Sequence, residues 1–216
     1  MTFASRQDAG EKLGAHLREL AIDADAVAGL PRGGVIVAAA TAHVLSLPLD
    51  ILVVRKVGHP LQREFAVGAL AEGGVIVLDE KLIGPTPERH ADLEKIILEE
   101  SLRLREYELR FHAVSRLDYH GRSVLLVDDG LATGATTEAA VRSARNQGAR
   151  KIIVAAPIAS ISAVERLSRV ADNVIVLFAD PDFDAVGRYY REFPQTTDEE
   201  VLVAVRDAAS ANLKIV

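Results

Sequence analysis

The chain has 216 residues, with 25 Lys and Arg against 31 Asp and Glu and a formal net charge of −6. That balance disfavours a protein held mainly by phosphate backbones, so nonspecific nucleic-acid binding is not expected. Cysteine is absent, which excludes disulfides, thiolate zinc sites, iron–sulfur clusters and cysteine nucleophiles. With 49% hydrophobic and 26% charged residues, one folded domain over residues 1–216 is expected.

In chain order, the segment Met1 to Asp8 has no apolar stretch of the kind a secretory signal needs. The most apolar window, Val35 to Val54, is interrupted by His43, Pro48 and Asp50, and reads as a helix plus a buried strand rather than a membrane span. Runs rich in Val, Ile and Leu at Ala26–Leu30, Asp50–Val54, Ser123–Val127, Lys151–Pro157 and Asn173–Phe178 lack strict alternation. Separated by helical segments, they predict an α/β fold with a buried, mainly parallel sheet and right-handed crossovers. Val57 to Glu64 is polar and marked by Gly58 and Pro60, which predicts a mobile loop. Val67–Leu70 and Val75–Leu78, joined by Ala71-Glu72-Gly73-Gly74, predict a hairpin inserted after the second main strand. Thr86-Pro87-Glu88 starts a helix that runs to about His112, with Leu93, Ile96, Ile97, Leu104 and Leu109 as apolar spokes. The tail begins as an aromatic, acidic loop at Asp180 to Asp184, and a last helix starts at Thr197-Asp198-Glu199-Glu200. Its residues Val201, Leu202 and Val205 are expected to cover the main domain. The six histidines show no metal-ligand spacing, and only His59 falls in a candidate catalytic loop.

The chemistry is concentrated in Val124-Leu125-Leu126-Val127-Asp128-Asp129-Gly130-Leu131-Ala132-Thr133-Gly134-Ala135-Thr136-Thr137. A buried strand delivers two carboxylates to its end, a turn of small residues follows, and then a helix begins. Small residues let the backbone approach a ligand, and the free amides of the helix start with the Thr hydroxyls suit a phosphate dianion. Successive strand side chains point oppositely, so Asp128 and Asp129 address different atoms. The stretch is neither a Walker A loop, which needs a Lys after the second glycine, nor the G-x-G-x-x-G dinucleotide fingerprint.

This stretch resembles the phosphoribosyl-pyrophosphate (PRPP) motif of type I phosphoribosyltransferases. The resemblance implies that Asp128 and Asp129 face the ribose 2- and 3-hydroxyls. It also implies that Ala132, Thr133, Gly134, Ala135 and Thr136 wrap the 5-phosphate. Ala132 stands where many members carry an acidic residue with a base role. Gly29-Leu30-Pro31-Arg32-Gly33-Gly34 is similar to the family's pyrophosphate-binding loop, with Arg32 and Gly33 as the contacts. Val54-Arg55-Lys56-Val57 is similar to the start of its flexible catalytic loop, giving Arg55 and Lys56 to catalysis and to pyrophosphate. Leu-Pro-Arg-Gly-Gly, Val-Arg-Lys and Phe-Ala-Val-Gly-Ala are shared with a bacterial branch of predicted phosphoribosyltransferases whose members are sometimes fused to hydrolase domains. No room for such a domain is expected here.

The family has a hood over the acceptor. Here it is expected from the terminal segments, mainly about residues 180–216, beside a core of about residues 20–180, with Phe178, Pro181 and Phe183 as acceptor contacts. The implied activity is transfer of ribose 5-phosphate from PRPP to a nitrogenous acceptor, with a nucleobase as the leading candidate, and release of pyrophosphate. The implied cofactor is Mg²⁺, carried mainly by PRPP, with water-mediated contact to Asp128 or Asp129 left open and no direct protein ligand. A cytoplasmic location and a homodimer also follow from the resemblance. The alternatives are a PRPP- or nucleotide-sensing regulatory protein without catalysis, and a hydrolase or phosphorylase of an activated ribose phosphate.

Overall fold

The computed structural model describes residues 2–84 and 86–212. Five strands form a wholly parallel sheet: β1 (Ala26–Gly29), β2 (Leu49–Ile51), β6 (Ser123–Val127), β7 (Lys151–Ser160) and β8 (Asn173–Asp180). Their order in the sheet is β2-β1-β6-β7-β8. Every residue of β6 is buried, which is why these strands read as continuous apolar runs. Alternation sorts the side chains between the two faces. Leu125 and Val127 pack with Leu13, Val35 and Val201, whereas Val124 and Leu126 pack with Ala140, Ala144 and Leu167. The first face is covered by α1 (Arg6–Glu19), α2 (Gly33–Leu45) and α7 (Asp198–Asn212). The second is covered by α5 (Ala135–Asn146) and α6 (Ile161–Leu167).

The predicted second strand serves two sheets. The chain leaves the edge after Ile51, the Leu52 amide donates to Gly29 O at 3.1 Å, and Val54 opens another strand. β3 (Val54–His59), β4 (Gln62–Ala71) and β5 (Val75–Leu78) form a separate antiparallel sheet that packs on α5. The expected hairpin at 67–78 is present as β4 and β5. The polar stretch expected as a loop is instead a hydrogen-bonded arm of β3 and β4, with Pro60 and Leu61 at its tip. Its register shifts at Val57 to His59 show why the pattern was hidden: irregular pairing breaks the alternation that marks a strand.

A four-residue helix, α3 (Glu80–Ile83), leads to α4 (Pro87–Phe111), which matches the expected long helix. Leu93, Ile96 and Leu104 are buried as expected, and Ile97 packs against the core. Leu109 is the exception at 70% exposure, because the inward stripe of the last turns passes through Tyr107 and Phe111. α7 starts at Asp198 and buries Val201, Leu202 and Val205 against α2 and β2, as its spacing predicts.

Glu72, expected as a turn residue, is buried just beyond β4 and meets the end of α4. His112 Nε2 lies 2.5 Å from its carboxylate, and Ser143 Oγ donates to its carbonyl at 2.7 Å. The Glu72 carboxylate raises the His112 pKa above its ordinary 6.5, outweighing burial, with the Ser115 carbonyl and Asp50 adding to the effect. Glu108, pushed up by burial and by Glu72, faces the same cluster. A histidine whose folded value is raised contributes stability that is complete below its unfolded value and is lost as pH rises through the folded one. The melting temperature of the wild type should therefore fall relative to His112→Gln as pH climbs through that window. Parallel melting curves for the two proteins across the window would refute the pairing.

Candidate active site at the sheet switch point

The chain runs from β1 outward to β2 on one side, then returns to β6 and continues through β7 and β8 on the other. Such a reversal opens a crevice at the carboxyl ends of β1 and β6, the usual ligand position in an open parallel sheet. Residues 30–33 and 128–134 leave these two strand ends. They line one cleft of about 250 Å³ together with Lys56, Thr136, Thr137 and Val186.

The turn after β6 is held by hydrogen bonds to the end of β7. The Leu131 amide donates to Ile158 O at 2.9 Å, Ser160 N donates back to Leu131 O at 2.9 Å, and Ser160 Oγ donates to Ala132 O at 2.6 Å. Gly134 then takes φ +73, a left-handed conformation that favours glycine, and α5 begins at Ala135. Ala132, Thr133, Gly134, Ala135 and Thr136 thus form a rigid turn whose helix N-terminus has no side-chain cap. The Ala135 amide meets Thr133 Oγ1 at 3.4 Å, and the amides of Thr136 and Thr137 remain available to an anion. On the other wall α2 starts at Gly33, also without a side-chain cap, so a second helix N-terminus opens beside the cleft. The Pro31–Arg32 peptide bond in this loop is cis.

Asp128 and Asp129 sit between these two loops. Asp128 Oδ1 accepts from the Asp129 amide at 2.8 Å, and Asp129 Oδ2 accepts from Arg6 Nε at 2.8 Å. Burial pushes the Asp128 pKa well above the usual carboxylate value, and the Asp129 charge adds to the shift. Burial also raises Asp129, held back by Arg6 and Lys56. The carboxylates are crowded against the opposite loop. A Cβ on Gly33 would lie 2.1 Å from Asp129 Oδ2, and one on Gly34 would lie 2.7 Å from Asp128 Oδ1.

Four of the sequence-predicted groups meet in this cleft: the phosphate turn, the acidic pair, the loop bearing Arg32 and Gly33, and Lys56. Arg55 does not line it. The Arg55 guanidinium is tied to the buried Glu100 at 2.6 Å and lies 5.3 Å from the Tyr107 ring centre. It lines an adjoining cavity of about 730 Å³ between the β3–β4 arm and α4, to which Arg32 and Lys56 also contribute. Arg32 is restrained by Asp198 at the start of α7, 3.7 Å away. Phe178, Pro181 and Phe183 lie at and beyond the end of β8 but do not line the cleft. Phe178 is 37% exposed, Pro181 is exposed, and Phe183 stacks on Tyr189 at 5.5 Å. From that segment it is Val186 that reaches the cleft.

Sequence reasoning missed the connection of the two terminal segments to the acidic pair. Phe3 pairs with Tyr190 in an isolated bridge, and the Tyr190 hydroxyl donates to Asp129 O at 2.6 Å. Arg6 spans the same junction. No local pattern near Arg6 announces it, since its partners lie 123 and 188 residues away.

The arrangement offers hydrogen-bond acceptors for hydroxyls and two helix starts for phosphates. Its cations suit a leaving polyanion. Among the described residues, no group of three or more His, Asp or Glu side chains is placed to hold a metal ion. A divalent cation would therefore take most of its oxygen ligands from a bound polyphosphate and water, as Mg²⁺ commonly does.

Comparison with known proteins gives the same reading of the fold. A family model described as the phosphoribosyl transferase domain matches residues 4–184. Relatives from two Mycobacterium tuberculosis strains, whose names place them among phosphoribosyl transferases, are each 42% identical over 214 residues. The match is 97% of this chain and 48% of theirs, so the chain spans about half the length of these curated relatives. A ribose-phosphate pyrophosphokinase of Pyrococcus furiosus is 30% identical over 160 residues, 63% of this chain and 56% of its own length. The crystal structure of TT1426 from Thermus thermophilus shares 42% identity and superimposes with a TM-score of 0.79, covering 96% of this chain and 99% of that one. The domain match and the parallel sheet with its switch-point cleft agree: the chain belongs to the type I phosphoribosyltransferase family.

Proposed function

We propose that the protein is a Mg²⁺-dependent transferase that moves ribose 5-phosphate from PRPP to a nitrogenous acceptor, most simply a nucleobase. The observation that carries this reading is the convergence of the phosphate turn, the acidic pair and the Arg32 loop on one cleft. The curated names of the relatives point the same way, since phosphoribosyl transfer and ribose-phosphate pyrophosphorylation both handle a sugar phosphate bearing pyrophosphate.

In this reading the amides and hydroxyls of residues 132–136 hold the 5-phosphate, and Asp128 and Asp129 accept from the ribose hydroxyls. The acceptor nitrogen uses its lone pair to form a bond to C1. The C1–O bond breaks with its electron pair going to pyrophosphate, the anomeric carbon inverts, and the acceptor's surplus proton leaves to solvent. Arg32, the Gly33 amide and Lys56 neutralise the departing charge, and Arg55 joins them only by exchanging Glu100 for a phosphate oxygen. Positive charge developing on the ribose is favoured by the neighbouring carboxylates. Bound with PRPP, Mg²⁺ supplies charge neutralisation to the pyrophosphate oxygens. Inversion requires the acceptor to enter opposite the leaving group. The segment that brings Val186 to the cleft also carries Pro181 and Phe183, which do not line it.

The test is pyrophosphate release from Mg²⁺–PRPP with a panel of nucleobases. Release that depends on a base supports transfer. Release without any base indicates hydrolysis, and PRPP binding without release under the whole panel indicates a sensor. Lys56→Ala should lower release by about 10- to 100-fold while leaving the melting temperature near wild type, because Lys56 is exposed and its charge is used by the leaving group. Undiminished release in that variant would remove Lys56 from the mechanism.

A further inference from the structure

The Arg6 side chain is nearly buried yet is used up by one small region. Its Nε donates to Asp129 Oδ2 at 2.8 Å, its Nη1 donates to Pro194 O at 2.7 Å, and its guanidinium lies 3.8 Å from the centre of the Phe193 ring. The Phe193 ring is itself packed on Tyr190 at 5.0 Å, and Tyr190 on Phe3 at 5.5 Å. The guanidinium therefore cannot leave Asp129 without unpicking the junction between residues 3–6 and 189–194. On its other side the carboxylate is confined by the Gly33 backbone.

The consequence lies in which oxygens stay free. Asp128 Oδ1 is occupied by the Asp129 amide and Asp129 Oδ2 by Arg6. Among the described residues, no side chain of another residue donates to Asp128 Oδ2 or to Asp129 Oδ1, and neither is a buried atom without a partner. Each carboxylate thus offers one oxygen to the cleft. Two single acceptors side by side suit two neighbouring hydroxyls. A carboxylate free to turn would instead offer either oxygen to either group.

We propose that Arg6 is a positioning residue that locks Asp129 so that the acidic pair presents one free oxygen per carboxylate to the vicinal diol of a ribose phosphate. This rests on the reading of the cleft as a ribose-phosphate site. Arg6 touches no substrate atom; it acts by fixing the acceptor, and it makes that fixing depend on the hood being docked. The Tyr190 hydroxyl on Asp129 O fixes the backbone of the same residue.

The experiment has two arms. In the first, calorimetry measures ribose 5-phosphate and 2-deoxyribose 5-phosphate binding to wild type, Arg6→Gln and Arg6→Lys. The wild type should prefer the ribose compound by about tenfold, as expected for a hydrogen bond to a charged acceptor, and Arg6→Gln should reduce that preference to about twofold or less. Arg6→Lys, which keeps a donor and a charge, should recover part of it. A purely structural role would weaken both ligands equally, and an unchanged preference in Arg6→Gln overturns the proposal. Should Arg6→Gln fail to fold, Phe193→Leu removes the ring beneath the guanidinium and should lower the same preference. In the second arm, the Arg6 Nε–H resonance, assigned by its loss in Arg6→Lys, should shift and exchange faster with water in Asp129→Asn. An unmoved resonance means that the lock is absent in solution and refutes the proposal. If the resonance moves but wild type binds neither sugar phosphate, the ribose-phosphate reading fails, and the diol part of the proposal falls with it while the Arg6 lock stands.

Discussion

Asp128→Asn and Asp129→Asn should each reduce PRPP-dependent turnover by about 10²- to 10³-fold, the scale of removing a group aimed at developing charge, yet they should differ in stability. Burial and the neighbouring Asp129 charge raise the Asp128 pKa well above its unfolded value. The sign follows from linkage. A raised acid makes the folded state progressively less stable as pH climbs from the unfolded value to the folded one, and the whole penalty remains above it. Asparagine removes that charge and keeps an oxygen for the Asp129 amide, so Asp128→Asn should melt at or above the wild-type temperature near neutral pH. Burial raises Asp129 as well, but Arg6 and Lys56 oppose the shift, and Asp129→Asn leaves Arg6, a nearly buried cation, without its carboxylate, so this variant should melt below Asp128→Asn. Thermal melts beside turnover assays check both. Equal destabilisation by the two variants would show that the acidic pair is not divided between a strained site group and a structural one.

Gly33→Ala carries the second large effect. The added methyl would fall 2.1 Å from Asp129 Oδ2 and 2.7 Å from Arg6 Nε, distances at which something must move. Neither neighbour is a loose chain end, because the two are paired to each other and Arg6 is also held by Pro194 and Phe193. The loop must therefore lift away, which separates the start of α2 from the acidic pair. We expect about 1–3 kcal/mol of destabilisation from overpacking. PRPP affinity should drop by about 100-fold, because the loss combines a displaced phosphate amide with a disturbed carboxylate. Gly73→Ala is the control. Gly73 has φ +76 but nothing within 4 Å of a new Cβ, so only backbone strain is added and ligand affinity should be unchanged. If Gly33→Ala binds PRPP as tightly as Gly73→Ala, the crowding between the two loops has no role in recognition.

What the sequence made legible follows from the range of the interactions involved. The parallel strands show as apolar runs because both faces of the sheet are covered, and the phosphate turn shows because small residues, Thr and a helix start are contiguous. Both are local patterns. The arm of β3 and β4 was hidden because exposure of residues 62–65 and a shifted register remove the alternation. Arg55, expected at the start of a flexible loop, stands in β3, and its partner Glu100 lies 45 residues away on α4, so nothing local shows that this cation is already engaged. The contribution of the terminal segments was least legible. Arg6, Tyr190 and Asp198 come to the site from the two extremities of the described chain, and the aromatic residues near 180 suggest a stacking wall. Phe183 instead stacks on Tyr189, while a plain valine, Val186, faces the cleft.

Glu100 completes the electrostatic picture around the arm. It is buried and bridges Arg55 and Arg103, both at 2.6 Å, while Arg63 farther along the arm pairs with Glu99 at 3.1 Å. These pairs hold the arm against α4 at the edge of the cavity that Arg32 and Lys56 share with the cleft. In the proposed reaction a pyrophosphate arriving there would compete with these carboxylates for the same cations.

The most direct test of the central claim is calorimetric titration of Mg²⁺–PRPP into wild type and into the Asp128→Asn/Asp129→Asn double variant. Saturable binding to the wild type that disappears in the folded double variant is the predicted result. No binding to the wild type, or binding that survives the loss of both carboxylates, would contradict the assignment of this cleft to PRPP.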